Sequence, residues 1–222
     1  MNLGFKRKAT LQKGKRQKVM NNIYTFLLKG GPIVVAIGIC SVIALGIFLE
    51  RFWRLQRNRV INLSFVERIR NLVKEKRLSD ARLLCEENNT AMSRIFHSVL
   101  VNATKNRTSI KEVVEESGRS ESIKLERYVE VIGTIAMITP LLGLLGTVLG
   151  MIRVFQRIEE YGLGDPGVFA SGIWEALITT AVGLCVAIPS LIFHRYLQGH
   201  IEQLVAEMEE ESLNMIKIVA QD

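Results

Sequence analysis

Cysteine and histidine are scarce, at 3 residues each in a chain of 222. Cys40, Cys85 and Cys185 form no C-x-x-C pair and share no ligand spacing with His97, His194 or His200. The sequence therefore offers no disulfide framework and no metal set. Enzyme signatures are missing too. "GLLGTVLG" is followed by no Lys-Ser/Thr and has the wrong spacing for a dinucleotide fingerprint, and no Ser, His and Asp pattern suggests a nucleophilic site. The expectation is a non-enzyme without cofactor or metal. Acid is absent from residues 1–20, which carry Lys6, Arg7, Lys8, Lys13, Lys15, Arg16 and Lys18. Taking those seven from 29 Lys and Arg leaves 22, against 22 Asp and Glu, so the net +7 belongs to this tail. Only Phe5 interleaves its cations, which argues against nucleic acid. A solvated arm able to touch anionic headgroups is expected, or a segment upstream of a native start at Met20.

Apolar residues, by contrast, make up 48% of the chain and collect in three blocks. These are "GGPIVVAIGICSVIALGIFL" (30–49), "VIGTIAMITPLLGLLGTVLGMI" (131–152) and "VFASGIWEALITTAVGLCVAIPSLIF" (168–193). Each approaches the roughly 20 residues a helix needs to cross a bilayer, and helix is the form that satisfies its own backbone there. "IFLERFW" after the first block has no small-residue cleavage site, so that block reads as a retained span rather than a signal peptide. The predicted fold is all-α and polytopic, with three transmembrane helices, two of them long and extending into a helical cytoplasmic domain. The expected order is a tail at 1–20, a span at 30–49, a cytoplasmic helical region at 50–128, and a span at 129–155. An outer loop at 156–167, a span at 168–195 and a cytoplasmic helix at 196–222 follow. Arg51, Arg54, Arg57 and Arg59, beside Phe52 and Trp53, mark a cytoplasmic flank and place the N-terminus outside. The basic tail argues the other way, a conflict that a start at Met20 removes.

In the polar region, one-faced stripes predict amphipathic helices. They are Phe65, Ile69, Leu72 and Val73; then Ala81, Leu84 and Cys85; then Met92, Ile95, Phe96, Val99 and Leu100. "NNT" (88–90) and "KNRTS" (105–109) read as loops. Ser109 with Glu112 predicts a capping box, from which one uninterrupted helix would run through the second span. Asp165 and Pro166 predict the start of the third span's helix. That helix should continue past Arg195 along Ile201, Leu204, Val205, Met208, Leu213 and Ile216, forming a hairpin with its predecessor.

Within the spans, Gly143, Gly146 and Gly150 on one helix, and Ala176, Thr180, Gly183 and Ala187 on the next, predict close packing. Packing does not account for Glu175, the one carboxylate well inside a span. An acid at mid-bilayer costs about 2.5–3.5 kcal/mol, which a polar cavity, a partner or protonation relieves. Counting depth from the span ends brings Thr147 within about 3 Å of Glu175's level and Thr180 about 7–8 Å deeper. The three predict one polar track, because a hydroxyl both donates and accepts. Glu130 sits at a span edge and receives no role.

"TPLLGLLGTVLGMI" followed by "GIWEALITTAVGLCVAIP" resembles the MotA/TolQ/ExbB proton-channel family, nearest its TolQ and ExbB branch. "RLSDARLLCEENNTAMSRIF" and the early "GGP" extend the resemblance from about Met20 to the C-terminal helix. MotA itself, with four spans, resembles the chain less. The resemblance implies a bacterial inner-membrane proton-channel subunit with its N-terminus periplasmic and C-terminus cytoplasmic. It implies a homo-oligomer, a pentamer, around ExbD- or TolR-like single-span partners, each bringing an aspartate. It also implies work on a TonB- or TolA-like protein that spans the periplasm, driven by proton motive force. The family's threonines fall on Thr147 and Thr180 and its glutamate on Glu175. Trp174, Arg153 and Arg157 depart from the pattern. Two other readings are a non-conducting scaffold that gathers partners and a flagellar-stator-like subunit.

Overall fold

The computed structural model describes residues 31–102, 107–162 and 166–219. The basic tail and the Asp165 cap lie outside them. All the described elements are helices. They are α1 (Gly31–Arg54), α2 (Arg57–Val60), α3 (Leu63–Lys74), α4 (Leu78–Glu87), α5 (Ala91–Val101), α6 (Arg107–Glu126), α7 (Val129–Tyr161) and α8 (Pro166–Val219). Three helices, within Gly31–Arg54, Val129–Glu160 and Ala170–Ile218, are long and apolar enough to cross a membrane. α1, α7 and α8 have 24, 33 and 54 residues. At 1.5 Å per residue they reach about 36, 50 and 80 Å.

The chain divides into two compact units, Met1–Ala44 with Thr134–Leu191 and Leu45–Gly133 with Ile192–Asp222. Unit one holds the first part of α1, most of α7 and the first half of α8. Val34, Ile37, Ala136, Val154, Ala176, Ile178 and Ala187 are buried there, while Val42, Met137, Leu141, Trp174 and Ile188 are exposed. An apolar exterior of this kind suits lipid or further protein rather than water. Both internal prolines lie in this unit, Pro140 in α7 and Pro189 in α8. A helical proline leaves a carbonyl without its N–H partner, and neighbouring hydroxyls relieve the strained ladder. The carbonyls freed are those of Ala136 and Cys185, and hydroxyls bond the carbonyls beside them: Thr139 donates to Ile135 at 2.9 Å and Ser190 to Val186 at 2.8 Å.

Unit two is built on the amphipathic stripes. Phe65, Ile69, Val73, Ala81, Cys85, Met92, Ile95, Phe96, Val99, Leu100, Ile201, Leu204, Met208 and Ile216 are all buried. Leu72, Leu84, Val205 and Leu213 stand half-buried at the margins, and Val66, Ser212 and Met215 join the core. Thr90 and Ser93 form a reciprocal capping box that starts α5, in the stretch expected to be a loop. Arg82 ends α5 by donating through Nη2 to the Leu100 carbonyl at 2.6 Å. Rings ladder along α1 and α8, with Phe48 stacked on Phe193 at 4.0 Å and Tyr196 on His200 at 6.3 Å. Arg57 pairs with Glu207, and Arg70 Nη2 lies 2.7 Å from Glu211 Oε2.

Two sequence expectations are corrected here. Ser109 is not an N-cap, because α6 already includes Arg107; Ser109 is the third described residue of that helix, not its cap. Nor does one helix run from Ser109 through the second span. α6 ends at Glu126 and α7 begins at Val129, with a turn at Arg127–Tyr128. No proline or glycine marks the break. What stands there is a tertiary contact, the buried Arg51 guanidinium 4.4 Å over the Tyr128 ring. Of the three cysteines, Cys85 is buried, Cys40 half-buried and Cys185 exposed. Burial, then the neighbouring Glu86, pushes the Cys85 thiol up to about 12, so it is not a thiolate near neutral pH.

The ion pair of unit two with the most deeply buried carboxylate is Arg94 with Glu121. Arg94 Nε and Nη2 lie 2.8 and 2.5 Å from the carboxylate, and Lys124 Nζ lies 2.8 Å away. Burial pushes the Glu121 carboxyl up, but the hydrogen bonds from Arg94 and Lys124 outweigh it and hold the group below its ordinary 4.5. A carboxyl lowered in the folded state contributes stability above the unfolded value and loses it as pH falls through the folded one. The melting temperature of the detergent-purified chain should therefore fall as pH drops below about 4.5. Arg94→Met should cost about 2 kcal/mol at neutral pH and flatten that acid dependence, both read from thermal unfolding by circular dichroism.

Candidate functional site

The site residues lie along the seam between α7 and α8 in unit one. Glycine sets how closely the two backbones approach. A β-carbon on Gly143 would lie 2.9 Å from the Thr179 carbonyl oxygen, and one on Gly150 would lie 2.9 Å from Ala176 Cβ. On Gly183 it would lie 2.6 Å from the Thr139 carbonyl and 3.2 Å from Gly143 Cα. At Gly146 it would overlap the Thr179 side chain. All four glycines named from the sequence thus sit at backbone or side-chain contacts that admit no side chain. Gly143 opposite Gly183, Gly146 opposite Thr179 and Gly150 opposite Ala176 define an antiparallel register.

Two hydroxyls cross this seam to one acceptor. Thr179 Oγ1 shares its one hydrogen between the Ala176 carbonyl of its own helix at 2.6 Å and the Gly143 carbonyl at 3.2 Å. Thr180 Oγ1 donates to the same Gly143 carbonyl at 3.1 Å. Thr147 turns back on its own helix, donating to the Leu144 carbonyl at 2.7 Å. Glu175 meets Arg153: Oε1 lies 3.5 Å from Nη1 across the seam. Their side chains keep 38% and 54% of their surface uncovered, so the pair is accessible rather than locked away.

The register fixes depth, and the helical turn fixes direction. Thr147 stands opposite Ile178 and Thr179, about one helical turn from the level of Glu175, somewhat more than the span-end count gives. Thr180 follows Glu175 by five residues, a rotation of about 140° at 100° per residue. Measured from the glycine contact line, Glu175 and Arg153 fall on one edge of the seam, and Thr147 and Thr180 on the other. One chain therefore brings Glu175 to Arg153 and Thr180 to Gly143, but joins none of Glu175, Thr147 and Thr180 by a hydrogen bond. The single track expected from depth is divided between two edges. Depth counting cannot see this, because it ignores rotation.

Sequence reasoning missed three contributors. Thr179 was legible, since Ala176, Thr179 and Gly183 follow the i, i+3, i+7 pattern of one face. Arg153 stood out only as a departure; opposite Glu175 in the register, it is the carboxylate's charged neighbour. Gly31 was read only as part of the early "GGP" and not as a neighbour of the pair. Its φ of +68° and bare α-carbon bring the start of α1 against the pair, where an added β-carbon would lie 3.8 Å from Glu175 Oε1 and 3.9 Å from Arg153 Nη1.

Long apolar helices in glycine-mediated contact, with an acid and hydroxyls along their seam, define a multi-pass α-helical membrane protein of the channel or transporter class. Residues 87–210, which hold the seam and every site residue named from the sequence, match the MotA/TolQ/ExbB proton channel family. The chain belongs to that family. It is 33% identical over 179 residues to the ExbB-like 1 biopolymer transport protein of Synechocystis sp., covering 77% of this chain and 68% of the relative. The ExbB-like 3 protein of the same organism is 30% identical over 173 residues, 75% and 80% of the two chains. The biopolymer transport protein ExbB of Salmonella typhimurium is 26% identical over 208 residues, 86% and 81%.

If the seam depends on missing side chains, a branched one should force it apart. Gly183→Val should lower the melting temperature of the purified chain and cost about 1–3 kcal/mol. Gly46→Val, where a β-carbon would meet nothing within 4 Å, should melt with the parent protein. Equal melting of the two variants would contradict the packing described.

Proposed function

We propose that the chain is the proton-conducting subunit of a TolQ/ExbB-type motor in a bacterial cytoplasmic membrane. Its N-terminus lies on the periplasmic side and its C-terminus in the cytoplasm. Several copies, a pentamer in the family's pattern, would surround an ExbD- or TolR-like single-span partner. Proton flow would then be coupled to work on a TonB- or TolA-like protein. In this reading the spans lie within 30–49, 129–155 and 168–195, and residues 50–128 and 196–222 are cytoplasmic.

The observation that carries the proposal is where Glu175 stands and how much of it is uncovered. In the seam's register Glu175 is level with Gly150 and Met151, about 6–8 Å inside the outer end of the 129–155 span, in the outer part of a hydrocarbon layer about 30 Å thick. A carboxylate and a guanidinium with this much uncovered surface lose hydration where they face lipid inside the span. They face a polar cavity, a second copy or a partner helix instead. Thr147 and Thr180 line the other edge of the same seam. A cyclic assembly lets both edges serve one path, each supplied by a neighbouring copy. One elementary charge crossing 100 mV releases about 2.3 kcal/mol, enough to bias a shift between packed helices.

A non-conducting scaffold would need the glycine seam but not the acid, so the acid separates the two readings. In proteoliposomes carrying the full chain with a single-span partner, Glu175→Gln should cut proton influx under a potassium diffusion potential at least tenfold. Thr147→Val and Thr180→Val should each reduce it. Oligomer size on gel filtration should not change in any of the three. Undiminished influx in Glu175→Gln would reject the conducting role and leave the scaffold.

A further inference from the structure

We infer that the cavity where α1 ends against α8 binds an anionic glycerophospholipid. Arg57, Gln56, Asn58 and His200 hold its phosphate, and an acyl chain lies along a ladder of rings. The inference rests on the span assignment above and not on proton conduction.

The cavity lies wholly within unit two. Phe52, Gln56, Arg57 and Asn58 line it from the end of α1 into α2, and Tyr196 and His200 line it from α8. Its volume of about 370 Å³ falls in the roughly 300–1,000 Å³ range of small-ligand sites. The polar groups are set for a ligand with acceptor oxygens. Glu207 holds Arg57 through Nε at 2.9 Å and through Nη2, which fixes the guanidinium and leaves the hydrogens of Nη1 to give. His200 Nε2 lies 2.9 Å from the Leu55 carbonyl, which only accepts, so Nε2 is the donor there and Nδ1 is the ring's other polar atom. Gln56 does not cap α2, and neither its amide nor that of Asn58 is engaged among the described residues.

Charge along this stretch is of one sign. Residues 50–59 and 193–200 hold Arg51, Arg54, Arg57, Arg59 and Arg195 against Glu50. With Glu207 included, five cations stand against two acids. Such a patch attracts an anion and repels a second copy of itself.

The rings beside the cavity select the kind of anion. Phe48 stacks on Phe193 at 4.0 Å, Phe52 lies 6.3 Å from Tyr196, and Tyr196 lies 6.3 Å from His200. The ladder leads from the last turn of two spans to the polar groups. Leu45 and Leu49 precede Phe48 and Phe52 by three residues, and Ile192 precedes Tyr196 by four, so they share the ladder's side of their helices. All three are exposed. In the span assignment, Phe52 and Tyr196 stand about 5 and 2 Å past the hydrocarbon, and Gln56 and His200 about 10 and 8 Å. A headgroup layer is about 5–8 Å deep on each side. Apolar surface, rings, then amides and cations follow the order of acyl chain, glycerol and phosphate. A free phosphate matches only the last part.

Trp53 supplies the readout. The chain has two tryptophans, Trp53 and Trp174, and Trp53 is exposed next to Phe52. In a Trp174→Phe background its fluorescence reports the lipid at this place. The full-length chain is reconstituted in phosphatidylcholine vesicles, and brominated phosphatidylglycerol or brominated phosphatidylcholine replaces the plain lipid stepwise. Phosphatidylglycerol should reach half-maximal quenching at a mole fraction about fivefold lower. Asn58→Asp, which puts an acid into the cavity, should abolish that preference. Gln56→Glu should do the same and serves if the first variant folds poorly. Arg59→Gln makes an equal change of charge outside the cavity lining and should keep most of the preference. Inorganic phosphate at matched ionic strength should not displace the brominated lipid. Equal quenching by the two lipids, an equal loss in Asn58→Asp and Arg59→Gln, or displacement by inorganic phosphate would each overturn the inference. So would a smaller oligomer on gel filtration for Phe52→Ser with Tyr196→Ser and unchanged quenching, because a second copy would then cover this face. None of these results touches proton conduction, which the influx of Glu175→Gln decides.

Discussion

The glycine seam between α7 and α8 is the constraint on which the rest of unit one depends. Side-chain-free positions at 143, 146, 150 and 183 allow backbone to approach backbone, and that approach fixes a single antiparallel register. In lipid there is little hydrophobic gain in pairing two apolar helices, so van der Waals contact at close range and interhelical hydrogen bonds must hold them. The structure supplies both at one place. Gly143 admits the α8 backbone, and its carbonyl accepts the hydroxyls of Thr179 and Thr180. One residue thus provides the space and the acceptor. A slip of either helix by one position would put a β-carbon into backbone and strand both hydroxyls.

The register in turn decides which charges meet. Glu175 faces Arg153 because Ala176 is seated on Gly150 and each charged residue flanks that contact. The same geometry sends Thr147 and Thr180 to the opposite edge. A polar group in an apolar unit is tolerated only where it has an answer, and here the answers differ in kind. Thr179 and Thr180 are satisfied by backbone, Thr147 by its own helix, and Glu175 by a cation that is itself half-exposed. The first three are structurally complete in a single chain. The last leaves surface that asks for a polar surround from outside it.

Much of this was legible in the sequence, and the parts that were not share a physical cause. Three apolar blocks, one-faced stripes in 60–128 and small residues at helical spacing are one-dimensional signals, and they correspond to the three long helices, the core of unit two and the seam. Glu175 stood out because a charge in an apolar run is rare. The break at Arg127–Tyr128 was invisible, because its companion is Arg51, some 75 residues away in sequence, and not a local breaker. Arg153 was seen as an oddity and not as a partner, since pairing requires the register. The division of the polar residues between two edges needed both register and rotation, and depth alone could not supply it. Gly31 was read only within "GGP": a glycine before a proline at a span's start reveals no partner until its neighbour is known.

The chain carries two kinds of ion pair, and the contrast bears on what each does. Arg94 grips Glu121 through two nitrogens at 2.8 and 2.5 Å, Lys124 adds a third contact, and the carboxylate is almost wholly buried. Short, multiple, charge-assisted bonds hold a carboxylate ionised and a helix pair in place, and a proton competes poorly for it. Arg153 touches Glu175 through one nitrogen at 3.5 Å, with both side chains accessible. A group meant to stay charged is best served by the first arrangement. The long, accessible pair holds neither side chain tightly, and it occurs at the one carboxylate that the apolar blocks enclose.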